Sequence, residues 1–302
     1  MPDRSWAPPE PYDLRRSLLV LRRGPYDPAF RETADGAVWR ATRTPEGPAT
    51  LRLLPGRPVR ATAWGPGADW ALERLPALLG ADDAPEAFTA HHPLVAQAHR
   101  RHGGLRLVRT GLVLESLVPT VLEQRVTTEE AYRAWRLLLR RFGEPAPGPA
   151  DGGPDLWVMP EPRTFALLPS WEWHRAGVDP KRSAAVVRAV RLARRMEEAA
   201  GLPLAAALAR LQAVPGIGPW TAAETLQRSN GEPDAITVGD LHLPGTVGHA
   251  LAGERGADDA RMLELLAPYA GQRHRAARLI LLSGVVPARR APRQRHARIA
   301  RL

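Results

Sequence analysis

Two short segments of this 302-residue sequence carry residue types that could do chemistry together. The first is Leu211-Gln-Ala-Val-Pro-Gly-Ile-Gly-Pro-Trp-Thr-Ala222. Gly216 and Gly218 permit a tight hairpin between two helices, and Pro219 stands where proline is favoured, at the first position of the second helix. Such a hairpin points backbone N–H groups outward at a helix N-terminus and can hold a phosphate without a side chain. An ordinary helix–turn–helix connection with a glycine cap is the plainer alternative. The second segment, Asp234-Ala-Ile-Thr-Val-Gly-Asp-Leu-His-Leu243, places Asp240 twenty-two positions after Gly218. Taken alone, an aspartate before a helical stretch is most simply an N-cap. Paired with a phosphate grip, it is also a fixed anion at a set distance from whatever phosphate the hairpin holds.

Composition sets the company these segments keep. Lys and Arg number 42 against 32 Asp and Glu, a formal charge of +10 that favours polyanions, nucleic acid first among them. Lys181 is the single lysine, so only one side chain could form a Schiff base; the other basic residues are arginine, which forks onto phosphate and stacks on bases. No cysteine is present, which excludes a disulfide framework, a thiolate zinc site and an iron–sulfur cluster. The first residues lack an apolar leader, and no run approaches 18 apolar residues, so a cytoplasmic protein with no membrane partner is expected.

These residues need elements to position them. An α+β fold is expected, with two parts and a tail. Residues 1–90 read as a small α/β domain with an antiparallel sheet. Ser17–Leu21, 37–42, 49–54 and 59–64 are its expected strands, and Asp69 its expected helix cap. Residues 91–286 read as mainly helical, with 112–142 interrupted at Pro119, a helix over 183–200, and the helix-hairpin-helix at 204–229. Residues 143–155 hold eight Gly or Pro and must form a loop. Residues 287–302 hold six arginines and no acid, and read as a disordered basic tail.

The hairpin, Asp240 at that distance, Thr62-Ala-Trp-Gly-Pro-Gly-Ala-Asp-Trp70, Glu123-Gln124-Arg-Val-Thr127 and Pro268-Tyr269 together resemble the helix-hairpin-helix–Gly/Pro–Asp superfamily of DNA glycosylases. Within it, the chain is most similar to the AlkA-like 3-methyladenine DNA glycosylase II group. The resemblance implies that Asp240 is the catalytic carboxylate and that Gly216, Gly218 and Thr221 meet DNA at the hairpin. It implies that the main-chain carbonyls of Gln212, Val214 and Ile217 hold a structural Na⁺ or K⁺, with no cofactor needed for catalysis. It puts Trp220 and Tyr269 beside a flipped base, and Gln124 and Arg125 on the DNA. Trp220 and Tyr269 have plainer readings as packing aromatics. Two positions depart from the group: Glu224 stands where an aromatic is usual, and Arg125 where an apolar wedge is usual. Arg125 either fills the gap left by the extruded nucleotide or contacts phosphate.

The implied activity is hydrolysis of a damaged base, an alkylated purine above all, from duplex DNA in base excision repair, by a monomer. Trp220 occupies the position at which lyase-competent relatives carry lysine, and Lys181 lies outside the motif, so no strand cleavage is expected. Two other readings remain: a lesion-binding protein without chemistry, and a glycosylase for a deaminated or oxidised base, which Glu224 favours.

Overall fold

The computed structural model describes residues 2–150 and 152–287; apart from Pro287, the expected basic tail lies outside them. Strands β1 (Asp3–Trp6), β2 (Phe30–Glu32), β3 (Val38–Thr44), β4 (Gly47–Leu54) and β5 (Val59–Trp64) form one antiparallel sheet in the order β1-β5-β4-β3-β2. Helices α1 (Leu14–Leu18), α2 (Ala68–Glu73) and α3 (Leu75–Leu78) pack with it around Leu18, Leu51, Leu53, Ala61, Leu72 and Leu75. Then come α4 (Pro93–Arg101), α5 (Val113–Leu122) and α6 (Thr128–Phe142). A two-stranded pair, β6 (Glu144–Pro145) and β7 (Trp157–Val158), brackets the Gly/Pro loop. The rest is helical: α7 (Pro162–Leu167), α8 (Ser170–Arg175), α9 (Pro180–Arg191), α10 (Ala193–Glu197), α11 (Leu204–Gln212), α12 (Pro219–Ser229), α13 (Leu243–Ala252), α14 (Asp259–Leu265) and α15 (Arg273–Leu282).

The alternating strands at 37–42, 49–54 and 59–64 appear as β3, β4 and β5, because a sheet with one packed face imposes a period of two. Three expectations fail, each for a physical reason. Ser17–Leu21 is not a strand but the end of α1 followed by a 3₁₀ turn, since the Asp13 carboxylate caps the Arg16 N–H at 2.8 Å and Leu14 and Leu18 fall on one buried helical face. A short apolar run does not announce its own period. Asp69 is not a cap: Gly67 holds that position, and Asp69 lies in the first turn of α2, where its charge suits the helix dipole. Pro119 does not interrupt its helix either. Nine of the ten residues of α5 are buried, Pro119 among them, and the break comes after Leu122. Burial against α9 and α12 outweighs the hydrogen bond that proline forfeits, a cost of about 3 kcal/mol in an exposed helix. The helix expected over 183–200 begins earlier, at Pro180, and breaks at Leu192.

Helices α5, α6, α9, α11 and α12 share a core of Leu117, Val121, Trp135, Leu138, Val186, Leu211 and Leu226. A third core joins α4, α13 and α15 through Val95, Val247, Tyr269 and Ile280. Among the described residues no helix is long and apolar enough to cross a membrane.

Candidate active site and DNA-binding surface

The hairpin forms where the glycines stand. Helix α11 ends at Gln212, the chain turns through Pro215-Gly216-Ile217, and α12 starts at Pro219. Gly216 has φ +98, a backbone state that side chains with a Cβ rarely adopt, and a Cβ there would lie 2.8 Å from the Ala185 Cβ of α9. Gly218 is different: its φ of −92 is open to any residue, and a Cβ would meet nothing within 4 Å. The first glycine is demanded by the turn and its packing; the second keeps a surface clear. The first turn of α12 leaves backbone N–H groups, those of Trp220 and Thr221 among them, without intrahelical acceptors. Arg188 of α9 steadies the turn by donating to the Pro215 carbonyl at 3.2 Å.

One α-helical turn into the protein, the two sequence segments meet. The Trp220 indole Nε1 donates to Asp240 Oδ2 at 2.9 Å, while Asp240 Oδ1 accepts from the N–H groups of His242 and Leu243 at 2.7 and 2.8 Å. The N-cap position of α13 is held by His242, two residues on, so Asp240 braces the turn that leads into α13 and is at the same time a carboxylate tied to the hairpin helix. Three donors fix its plane and still leave lone pairs for a water or a sugar. Upstream, the Asp259 carboxylate takes the Gly239 N–H at 3.0 and 3.1 Å and anchors the approach to Asp240. Leu241, next in the chain, is 84% exposed, an unusual place for a leucine beside a partly buried carboxylate. Neither Asp259 nor Leu241 had a sequence signal, because each acts through where its loop lies.

Glu224 lies one turn beyond Trp220 on α12. Its carboxylate pairs with Arg228 at 2.6 Å, and Arg228 also donates to the Glu224 and Val20 carbonyls. Arg23 and Glu123 pair at 2.8 Å close by, and the charge of Glu224 reaches both arginines. The four groups make a largely buried, charge-balanced cluster joining the sheet side to α5 and α12. The four-residue spacing of Glu224 and Arg228 is that of an intrahelical pair, whereas Arg23 and Glu123 meet only through the fold. Removing one member strands its partner, so Glu224→Ala is expected to cost about 3 kcal/mol, read as a lowered midpoint in urea with an unchanged slope.

Tyr269 is 3% exposed, stacked on Phe88 with centroids 5.7 Å apart and edge-on to His91. Burial raises the pKa of its hydroxyl. It packs in the α4–α13–α15 core. Thr221 is buried, and its hydroxyl accepts a hydrogen bond from Gln124 at 2.7 Å; its backbone N–H, at the start of α12, faces the hairpin surface. Arg125 is exposed beside it. The carbonyl of Gln212 ends α11 without an intrahelical donor, and Val214 accepts from the Ile217 N–H at 3.0 Å. Carbonyl oxygens at the negative end of a helix suit a hard monovalent cation, so this donor set fits the expected ion. Among the described residues no cluster of His, Cys, Asp or Glu could hold a metal.

No family model matches the chain. A curated relative from Mycobacterium tuberculosis, a probable bifunctional transcriptional activator/DNA repair enzyme AlkA, is 29% identical over 236 residues, which is 72% of this chain and 44% of the relative. The chain thus spans less than half the length of the curated relatives it matches. The 3-methyladenine DNA glycosylase from Archaeoglobus fulgidus superposes with a TM-score of 0.72 at 15% identity, covering 93% of this chain and 97% of its own. The chain is thus similar in sequence to an AlkA repair enzyme and shares the fold of helix-hairpin-helix glycosylases. An 8-oxoguanine glycosylase/lyase from Clostridium acetobutylicum, solved with DNA containing 8-oxoG, also superposes, with a TM-score of 0.69 at 11% identity over 90% of this chain and 91% of that one. At these identities the likeness to solved structures concerns the fold. A 3-methyladenine glycosylase and an 8-oxoguanine glycosylase/lyase thus share this architecture, and the fold alone does not choose between their substrates.

Proposed function

We propose that this AlkA-like chain is a monofunctional DNA glycosylase acting on a damaged base, an alkylated purine first, in duplex DNA. The observation that carries this reading is the bond between Trp220 and Asp240. It ties a carboxylate of the loop before α13 to the short helix whose N-terminus offers N–H groups to phosphate.

In this reading the hairpin at Gly216–Thr221 holds the backbone of the lesion strand, with Na⁺ or K⁺ on the carbonyls of Gln212, Val214 and Ile217 adding positive charge. The damaged nucleotide leaves the stack at a cost of a few kcal/mol, least for a damaged or mispaired base. Trp220 offers its ring to the extruded base while its N–H holds Asp240, and an alkylated purine, being cationic, is attracted to such a ring. The bond from C1′ to the base nitrogen breaks, the base leaving with the bonding pair. Asp240 stabilises the cationic sugar and accepts a proton from the water that adds to C1′. Tyr269 stands behind this site as a wall of the α13 side. Glu224, neutralised by Arg228, makes the pocket polar at the position where the group has an aromatic.

The test is excision by the purified chain on duplexes carrying 3-methyladenine, 7-methylguanine, hypoxanthine or 8-oxoguanine, with strand cleavage read before and after alkali. Release of a base with breaks only after alkali is the expected result; no release from any duplex leaves a lesion-binding protein. Borohydride added during turnover is expected to trap no protein–DNA adduct, because Trp220 fills the lyase position and Lys181 is exposed at the start of α9. An adduct that vanishes in Lys181→Ala overturns the monofunctional reading.

A further inference from the structure

Among the described residues, Arg125 is the one residue other than glycine with a positive φ, +55. An L-residue stays in that region only where its surroundings over-determine it. The surroundings do so from four directions. Before it, the Leu122 carbonyl that ends α5 accepts from Arg182 of α9 at 2.7 Å, and Arg182 is 3% exposed. Glu123 is held by Arg23 at 2.8 Å. After it, Thr127 and Glu130 close a capping box that starts α6. Nearest of all, both amide hydrogens of Gln124 are spent across the molecule: Nε2 donates to the Gly216 carbonyl at 3.0 Å and to Thr221 Oγ1 at 2.7 Å. The side chains on either side of Arg125 are thus pinned, and its own is exposed.

These contacts have a shape. Gly216 lies at the tip of the hairpin and Thr221 on the first turn of α12. Gln124 therefore bridges the element that would grip phosphate and the turn that presents Arg125. With both Nε2 hydrogens engaged, the amide of Gln124 keeps only its Oε1 acceptor for any other partner.

We propose that Gln124 is a positioning residue that latches the Arg125 turn to the hairpin, so that gripping the DNA backbone and presenting the residue that enters the stack are one rigid act. The proposal rests on the glycosylase reading and concerns base extrusion rather than bond cleavage. Without the latch, the turn relaxes, Arg125 leaves its left-handed state, and the extruded nucleotide is no longer held out. The hairpin keeps its own N–H groups, so binding to undamaged duplex is spared.

The experiment compares wild type with Gln124→Ala under single-turnover conditions, using the duplex lesion that wild type excises fastest. Each lesion is placed opposite its normal partner and, separately, opposite an abasic analogue, where extrusion costs little. Wild-type excision establishes the glycosylase reading in the same assay, so its failure is told apart from failure of the latch. Loss of both latch hydrogen bonds is expected to slow excision from the paired duplex about tenfold or more. Opposite the abasic analogue the deficit should shrink to within about threefold, and affinity for undamaged duplex should stay within about threefold of wild type. Equal loss on both duplexes overturns the proposal, as does unchanged excision. Parallel loss of undamaged binding overturns it too, making Gln124 an ordinary DNA ligand. Should Gln124→Ala not fold, Thr221→Val removes one end of the latch while keeping shape, and the same split between the two duplexes decides.

Discussion

Asp240→Asn is expected to lower base excision by about 10²–10³-fold while leaving affinity for DNA intact. The substitution keeps the size of the side chain and removes the charge that faces the developing sugar cation. It also sets up a local conflict. Oδ1 accepts from two N–H groups and Oδ2 from the Trp220 indole, all donors. An asparagine presents one oxygen and one NH₂, so it must give up either the turn before α13 or the indole. That costs about 1 kcal/mol, a shift in midpoint small enough to leave a folded protein for assay. Stopped-flow or quench measurement of base release under single turnover, beside a binding isotherm, separates the two effects. Excision by Asp240→Asn at the wild-type rate sinks the catalytic assignment and leaves Asp240 as a brace of the turn before α13 alone. Trp220→Phe is the useful companion: it keeps the ring and frees Oδ2, so its deficit reports what orientation of the carboxylate is worth.

Gly216→Ala and Gly218→Ala, two positions apart, are expected to fail in different ways. At Gly216 an alanine meets a φ of +98 and a Cβ contact of 2.8 Å with Ala185, and both penalties act on the folded state. Together they are expected to cost about 2–4 kcal/mol, lowering the thermal midpoint and the affinity for every duplex together. At Gly218 the backbone is permissive and the space empty, so stability should fall by less than about 1 kcal/mol, the cost of alanine at an N-cap. The new methyl stands on the clear side of the hairpin, where a phosphate would approach, so affinity should fall for damaged and undamaged duplex alike. Calorimetry with fluorescence anisotropy on both duplexes checks this. A Gly218→Ala protein that binds as wild type, or that loses affinity only for the lesion, contradicts a backbone grip at this turn.

Both expectations turn on an arrangement that reaches beyond the motif. Asp240 works through an indole on another helix, and the hairpin is shaped by Ala185 and Arg188 on a third. Removal of those supports is expected to act on the site without touching DNA.

The sequence by itself determined the local pieces. Proline at a helix start, glycine in a tight turn and aspartate before a helix have preferences set within a few residues. Strand alternation over 37–64 and the hairpin at 204–229 could therefore be read directly. Long-range partners are another matter, because they depend on which surfaces pack. Whether Leu19-Val-Leu21 ends a helix or makes a strand was decided by the sheet it packs with, and Pro119 was absorbed into α5 by burial on nearly all sides. Glu224 read as a free polar intruder and proved to be half of an ion pair beside Arg23 and Glu123. Tyr269 read as an aromatic of the pocket and lies 3% exposed against Phe88. Gln124 read as a DNA contact and spends its amide on residues 92 and 97 positions away. No local rule reaches that far: a donor on one loop finds its acceptor only after the chain has closed, and tertiary structure alone decides the pairing.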